Sequence, residues 1–253
     1  MMRTVILAVA VTALAAVPRA SAAALDDLPG LDGAAAPVPA ASAPARALVC
    51  VDPGHPNSFN PATDLVNGTN EARINWQVGL RLERVLKEAG YDVIMTRHSE
   101  TESVENKDRA RICNPAALAV HLHCESTPGT GFALYFPDRE GLYDYKDDPE
   151  NGFRGPSAPV RQDSRSFAAQ LENGMRAALA GTLADKGVFG DSRTAVGARQ
   201  GALTFSIFST IPTVTIEMVV LTNRKDAEFI KSAAGQEKMA AAILAGIKLY
   251  KAP

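Results

Sequence analysis

Between residues 48 and 123 short apolar runs alternate with one long and one short amphipathic stretch, and this order constrains the fold more than any other feature. Residues 48–51 are apolar and partly β-branched, as a strand covered on both faces requires. Asp52-Pro53-Gly54 then stops the run, because proline fixes φ and lacks an N–H while glycine tolerates positive φ. Ile74, Val78, Leu82, Val85, Leu86 and Ala89 recur at helical spacing, with Asn70 placed to cap the helix and Gly90 to end it. Residues 91–96 read as a second strand, 104–114 as a helix and 118–123 as a third strand. A β-α-β-α-β order means parallel strands joined by crossover helices. Ligands bind such sheets just beyond the carboxyl ends of the strands, which is where His55 emerges.

Further along, residues 131–136 read as a fourth strand, followed by an irregular stretch at 137–163 that suits a lid or a binding loop. Ser164 is placed to cap a helix with Phe167, Leu171, Met175 and Ala178 on one face. Two more strands are expected at 201–208 and 213–217, and a final helix at about 235–251. The expected architecture is a single α/β domain: a mostly parallel, twisted sheet of about six strands with helices on both faces.

The domain does not begin at the first residue. A basic start, an apolar run at 5–17 and the small residues of Pro18-Arg19-Ala20-Ser21-Ala22 read as a signal peptide over 1–22, too short to span a bilayer comfortably. Residues 23–46 are mostly Ala and Pro and read as a linker, leaving 47–253 as a single domain. Loss of Arg3 and Arg19 takes the net charge from −2 to about −4, so nucleic-acid binding is not expected. The expected location is the periplasm or, alternatively, the outer face of the cell, with no membrane span after cleavage. Three cysteines leave at least one thiol free and form no zinc framework. Cys50 reads as a small buried hydrophobe, and spacing alone does not argue a Cys50–Cys113 bridge.

Four places put reactive side chains at strand or helix ends: His55, Glu71 in the first helical turn, His121 with His123, and Glu217. Residues 121 and 123 share one face of a strand, about 6.6 Å apart along it. Glu217 sits between Val214-Thr215-Ile216 and Met218-Val219-Val220, where a carboxylate is costly unless it has a partner. Two imidazoles and a carboxylate suit a catalytic Zn2+ with one open position, and a separate carboxylate near the open position suits a general base. The chain offers His55, Glu71 and either His121 or His123, with Glu217 left for the second role.

The order Asp52-Pro53-Gly54-His55, Glu71-Ala72-Arg73-Ile74-Asn75, Thr96-Arg97, Arg109, Asn114, Leu122-His123, Pro212, Ile216-Glu217 and Leu221-Thr222-Asn223 resembles the zinc-dependent N-acetylmuramoyl-L-alanine amidases, bacterial cell-wall hydrolases. The resemblance spans nearly all of 47–253. It implies His55, Glu71 and His123 as zinc ligands and Glu217 as the catalytic residue. His121 stands where the family more often has serine and is expected to support a ligand from behind, with a place among the ligands as the alternative. Asn75, Arg97 and Arg109 are expected to hold helix and strand ends. Pro56, Glu125 and Val219 stand where glycine, asparagine and glycine are common. The implied substrate is peptidoglycan, the implied protein a monomer, and a protein activator a further expected partner. The readings that compete with it are another zinc peptidase of peptidoglycan, and a non-catalytic domain that binds cell wall or regulates a hydrolase.

Overall fold

The structure, a computed structural model, describes residues 46–253; the expected signal peptide and linker lie outside the described residues. Leu48–Pro53 forms β1, Glu71–Glu88 α1, Asp92–Met95 β2, Asn106–Cys113 α2 and Leu118–Glu125 β3. Phe132–Phe136 forms β4, Gly141–Leu142 β5, Arg154–Gly155 β6, Ala158–Leu179 α3 and Asp185–Gly190 β7. Ala195–Gln200 forms α4, Thr204–Phe208 α5, Thr213–Val220 β8, Arg224–Lys231 α6 and Ala233–Tyr250 α7. Six strands make one sheet in the order β2-β1-β3-β8-β4-β7, and β5 pairs with β6 as a separate ribbon. All neighbours in the large sheet run parallel except β4 and β8. The mostly parallel six-stranded sheet is as expected.

Side chains alternate along β1 and so divide the interior. Val49 and Val51 face the larger core with α1, α3 and α7, whereas Cys50 faces a smaller one with α2 and α5. Helices α3 and α7 cross at glycines: a Cβ on Gly174 would lie 2.3 Å from the backbone nitrogen of Gly246. Asn70 caps α1, its side chain accepting from the Arg73 N–H, so Glu71 opens the helix as expected.

Four expectations need correction. Residues 201–208 form no strand; a short Leu-Thr-Phe-Ser-Ile alternation cannot distinguish strand from helix, and Phe205, Ile207 and Phe208 are all buried from α5. Helix α3 begins at Ala158 behind Ser157, with Pro159 in its first turn, not at Ser164. Ser164 is buried, and its hydroxyl accepts from the Thr213 N–H. The 137–163 stretch is consequently shorter and less irregular than expected, since β5, β6 and the start of α3 lie within it. Strand β7 was not anticipated, because an edge strand with two glycines and half-buried residues carries no apolar run.

Cys50 and Cys113 are joined in a disulfide with their Cα atoms 5.2 Å apart, while Cys124 is free and buried. Cys50 is therefore a cross-link rather than a simple hydrophobe, tying β1 to the end of α2. A cross-link over 63 positions constrains the unfolded chain substantially. The double variant Cys50→Ala/Cys113→Ala is expected to lose about 2–4 kcal/mol in denaturant unfolding. Unchanged stability would mean that the bridge does not form.

Candidate metal centre and active site

The site lies at the carboxyl ends of β1 and β3 and beside the middle of β8. Parallel register sets Asp52 beside His121 across β1 and β3, and His123 beside Glu217 across β3 and β8. His55 follows β1 at φ +58, an unusual backbone setting for a residue with a side chain. Its Nδ1 lies 2.9 Å from the Asn60 carbonyl, which leaves Nε2 free to point inward. Asn57 pins the same turn by accepting from the N–H groups of Phe59 and Asn60.

His55, Glu71 and His123 each offer a donor atom, all within 4.8 Å of one another. Nε2 of His55 is 3.4 Å from Oε1 of Glu71, and Nδ1 of His123 is 2.8 Å from the same oxygen. Glu71 also accepts from the Cys124 N–H at 3.1 Å. Two nitrogens and a carboxylate oxygen converging at this spacing fit a catalytic zinc. Gly54 makes the approach feasible: a Cβ there would lie 2.4 Å from Nε2 of His123.

Charge separates the members of the site. Burial opposes ionisation of Glu71, but His123 and His55 hold its carboxyl well below the usual range. Burial brings His123 down to about 4, reinforced by His121. Burial pushes Glu217 in the opposite direction, well above the carboxylate range, and the negative charges of Glu71 and Glu125 add to the effect. Its Oε2 is buried without a hydrogen-bond partner. Cys124 is raised by burial beside Glu71 and Glu217, so it is a poor thiolate.

Behind these residues lies a network whose centre, Asp52, sequence reasoning missed. Asp52 is fully buried, and its Oδ1 takes Arg109 Nη1 at 2.7 Å together with the Thr96 hydroxyl. Its Oδ2 faces Nδ1 of His121. Burial would raise this carboxyl, yet Arg109 and His121 hold it far below its ordinary range. Arg109 also donates to the carbonyls of Pro53, Pro56 and Val104. Arg97 donates to those of Pro53, Ala72, Ser99 and Glu100. Asn75 donates to the Gly54 carbonyl. These three hold backbone in place, as expected. The signal for Asp52 was present: an acid closing a buried strand needs a partner as much as Glu217 does.

A cavity of about 530 Å³ opens from His55, His123 and Glu217 towards Phe59 and Tyr145 at its mouth. Tyr145 belongs to the 137–163 stretch and packs against Tyr143 and Phe59. Its ring centroid lies 4.6 Å from that of Tyr143 and 5.7 Å from that of Phe59. Lys107 is paired with Asp148 below them.

The wall formed by Thr194, Val196, Leu203 and Thr204 is anchored by Asp191. This carboxyl is fully buried, accepts from the Leu203 N–H at 3.1 Å and is raised by burial to about 7. Between its ordinary value of 3.8 and about 7, the unfolded chain has lost this proton while the folded chain keeps it. Its contribution to stability is thus complete below pH 4 and lost as pH rises to 7. Asp191→Asn is expected to gain on the wild type over that window, by up to roughly 4 kcal/mol at about 1.4 kcal/mol per pH unit. Melting curves from pH 4 to 8 test this; a gap independent of pH contradicts it.

Comparison with solved structures places this architecture among known enzymes. Ami1 from Mycobacterium abscessus, an N-acetylmuramyl-L-alanine amidase, is 21% identical with a TM-score of 0.63, covering 81% of this chain and 99% of that one. The catalytic domain of the amidase CwlV from Paenibacillus polymyxa is 21% identical with a TM-score of 0.62, covering 81% and 97%. The CwlD amidase from Clostridioides difficile, solved in complex with the GerS lipoprotein, is 20% identical with a TM-score of 0.61, covering 81% and 98%. At such identities the likeness is one of fold. No curated protein matches the chain. A family model described as N-acetylmuramoyl-L-alanine amidase (Amidase_3) does, over residues 49–249. That match runs from β1 to α7 and takes in His55, Glu71, His123 and Glu217, so the chain belongs to the N-acetylmuramoyl-L-alanine amidase family.

Proposed function

We propose that the protein is a zinc enzyme that hydrolyses the amide bond between N-acetylmuramic acid and L-alanine in peptidoglycan, with His55, Glu71 and His123 as the metal ligands and Glu217 as the catalytic residue. The observation that carries this reading is a three-donor cluster, two of whose members, His55 and His123, line the same cavity as a buried carboxyl with an unpartnered oxygen. Zinc bound there would supply Lewis acidity, polarising the amide carbonyl and acidifying water.

Glu217 provides the proton transfer. Its raised proton affinity, set by burial and by Glu71 and Glu125, suits a group that takes a proton from water and later returns it. As the water oxygen bonds to the carbonyl carbon, Oε2 of Glu217 accepts the proton. When the C–N bond breaks, the same oxygen passes it to the alanine nitrogen. Asn60 turns His55 and Gly54 admits His123, so both rings are set before substrate arrives. Phe59 and Tyr145 offer rings to the glycan or the stem peptide at the cavity mouth.

The remaining assignments belong to the same proposal: a signal peptide over 1–22, a linker over 23–46 and a catalytic domain over 47–253, acting outside the cytoplasm as a monomer. Among the described residues no helix is long and apolar enough to cross a membrane. The complex of the C. difficile relative with a lipoprotein supports looking for a protein partner here too. Digestion of purified sacculi followed by mass spectrometry tests the reaction. Free stem peptides beginning at L-alanine are expected. Cuts within the peptide would favour a zinc peptidase, and intact sacculi a non-catalytic domain.

A further inference from the structure

The cavity accounts for one side of Glu217 only. Side chains opposite one another on neighbouring strands share a face, so the register carries the site further across the sheet. Glu217 stands beside His123 on β3 and beside Ala133 on β4. The next row runs His121, Thr215, Tyr135 and Phe189. Tyr135 and Phe189 lie outside the cavity, both half-buried, with ring centroids 5.7 Å apart. Arg193 is exposed and holds its guanidinium carbon 5.3 Å from the centre of the Phe189 ring. Lys186 reaches from β7 towards the carboxyl end of β8: a Cβ on Gly129 would lie 3.7 Å from its ammonium and 3.9 Å from Val220. Among the described residues neither of these two cations forms an ion pair.

Charge decides which part of the substrate belongs there. Among the described residues the one lysine or arginine that lines the cavity is Lys107, and it is already paired with Asp148 and Glu150. In a muramyl amide the lactyl carboxyl is consumed in the bond to alanine. The sugar side therefore carries no carboxylate, and the free carboxylates all lie on the stem peptide. An uncharged sugar matches the cavity, whereas a peptide bearing carboxylates matches two unpaired cations. We infer that the face of β4 and β7 beyond Glu217 is the stem-peptide subsite, where Lys186 and Arg193 pair with peptide carboxylates over a floor of Tyr135 and Phe189, and that the glycan takes the cavity. The inference rests on the amidase reading and agrees with the route of the proton. Glu217, which passes it to the alanine nitrogen, stands between the two halves.

The probe is the stem tripeptide L-Ala-D-Glu-diaminopimelate, with its carboxylates free or amidated, titrated into the 15N-labelled chain in the presence of zinc. Shifts are expected at Tyr135, Phe189 and Arg193, with the amidated peptide bound about 10–100-fold more weakly. The double variant Lys186→Gln/Arg193→Gln should bind the free tripeptide as weakly as the wild type binds the amidated one, and its melting curve monitors folding. With soluble muropeptides the effect of Arg193→Gln should fall on KM rather than kcat, and it should vanish when the stem carboxylates are amidated. Equal affinity for the two peptides, a preference that the double variant retains, shifts confined to Phe59 and Tyr145, or no binding of the tripeptide overturns the inference. A charge-dependent tripeptide site at Lys186 and Arg193 on a chain that leaves sacculi intact would instead overturn the amidase reading.

Discussion

Glu217→Gln lowers amide hydrolysis by roughly a thousandfold, the usual contribution of a positioned general base, while the variant still binds about one zinc per chain. The two halves of this expectation separate roles that loss of activity alone would confuse. Glutamine keeps the shape of the side chain and removes its proton-accepting oxygen, and the three metal donors are untouched. A second consequence follows from burial. The carboxyl of Glu217 is raised well above its ordinary value of 4.5, so the folded state is favoured while this group keeps its proton and disfavoured once it ionises. In chelated protein, Glu217→Gln therefore melts above the wild type at neutral pH, and the gap closes as pH falls towards 4.5. Activity near that of the wild type would remove Glu217 from the mechanism.

The largest effect on stability is expected at Arg109. Its guanidinium is fully buried against Asp52 and also holds the carbonyls of Pro53, Pro56 and Val104. Arg109→Ala leaves the Asp52 charge buried without its ion-pair partner, a change that costs about 3–5 kcal/mol. For a domain of this size that corresponds to a fall in melting temperature of about 10–15 °C. Two of the four acceptors flank Gly54-His55, so zinc affinity falls with stability. Arg109→Lys restores little, since one ammonium cannot reach acceptors arranged around a planar fork. A melting shift below about 3 °C would mean that Asp52 finds another partner.

Sequence and structure agree where chemistry and periodicity speak together. His55, Glu71 and His123 were read at strand or helix ends and the fold brings their donor atoms together, whereas Glu217, read as closing a strand, lies within β8 and lines the cavity with His55 and His123. The core helices were legible because their apolar spacing is long and regular. What escaped was pairwise and distant. Asp52 looked like part of a turn, because the acceptor role of its carboxylate depends on Arg109, 57 positions later. The Cys50–Cys113 bridge depends on how α2 lies against β1, which no local pattern encodes. Residues 201–208 misled because apolar and hydroxyl residues alternate there, while burial of Phe205 and Phe208 and the Asp191 contact to Leu203 favour compact turns. Strand β7 escaped because an edge with Gly187 and Gly190 has little apolar surface to announce it.

Anomalous scattering from zinc-loaded crystals of the chain, with metal content measured on the same preparation, tests the central claim most directly. One zinc per chain is expected, bounded by Nε2 of His55, a carboxylate oxygen of Glu71 and Nδ1 of His123, with the Glu217 carboxyl turned towards its open side. Zinc bound elsewhere, or the Glu217 side chain turned into the core away from the ion, would contradict it.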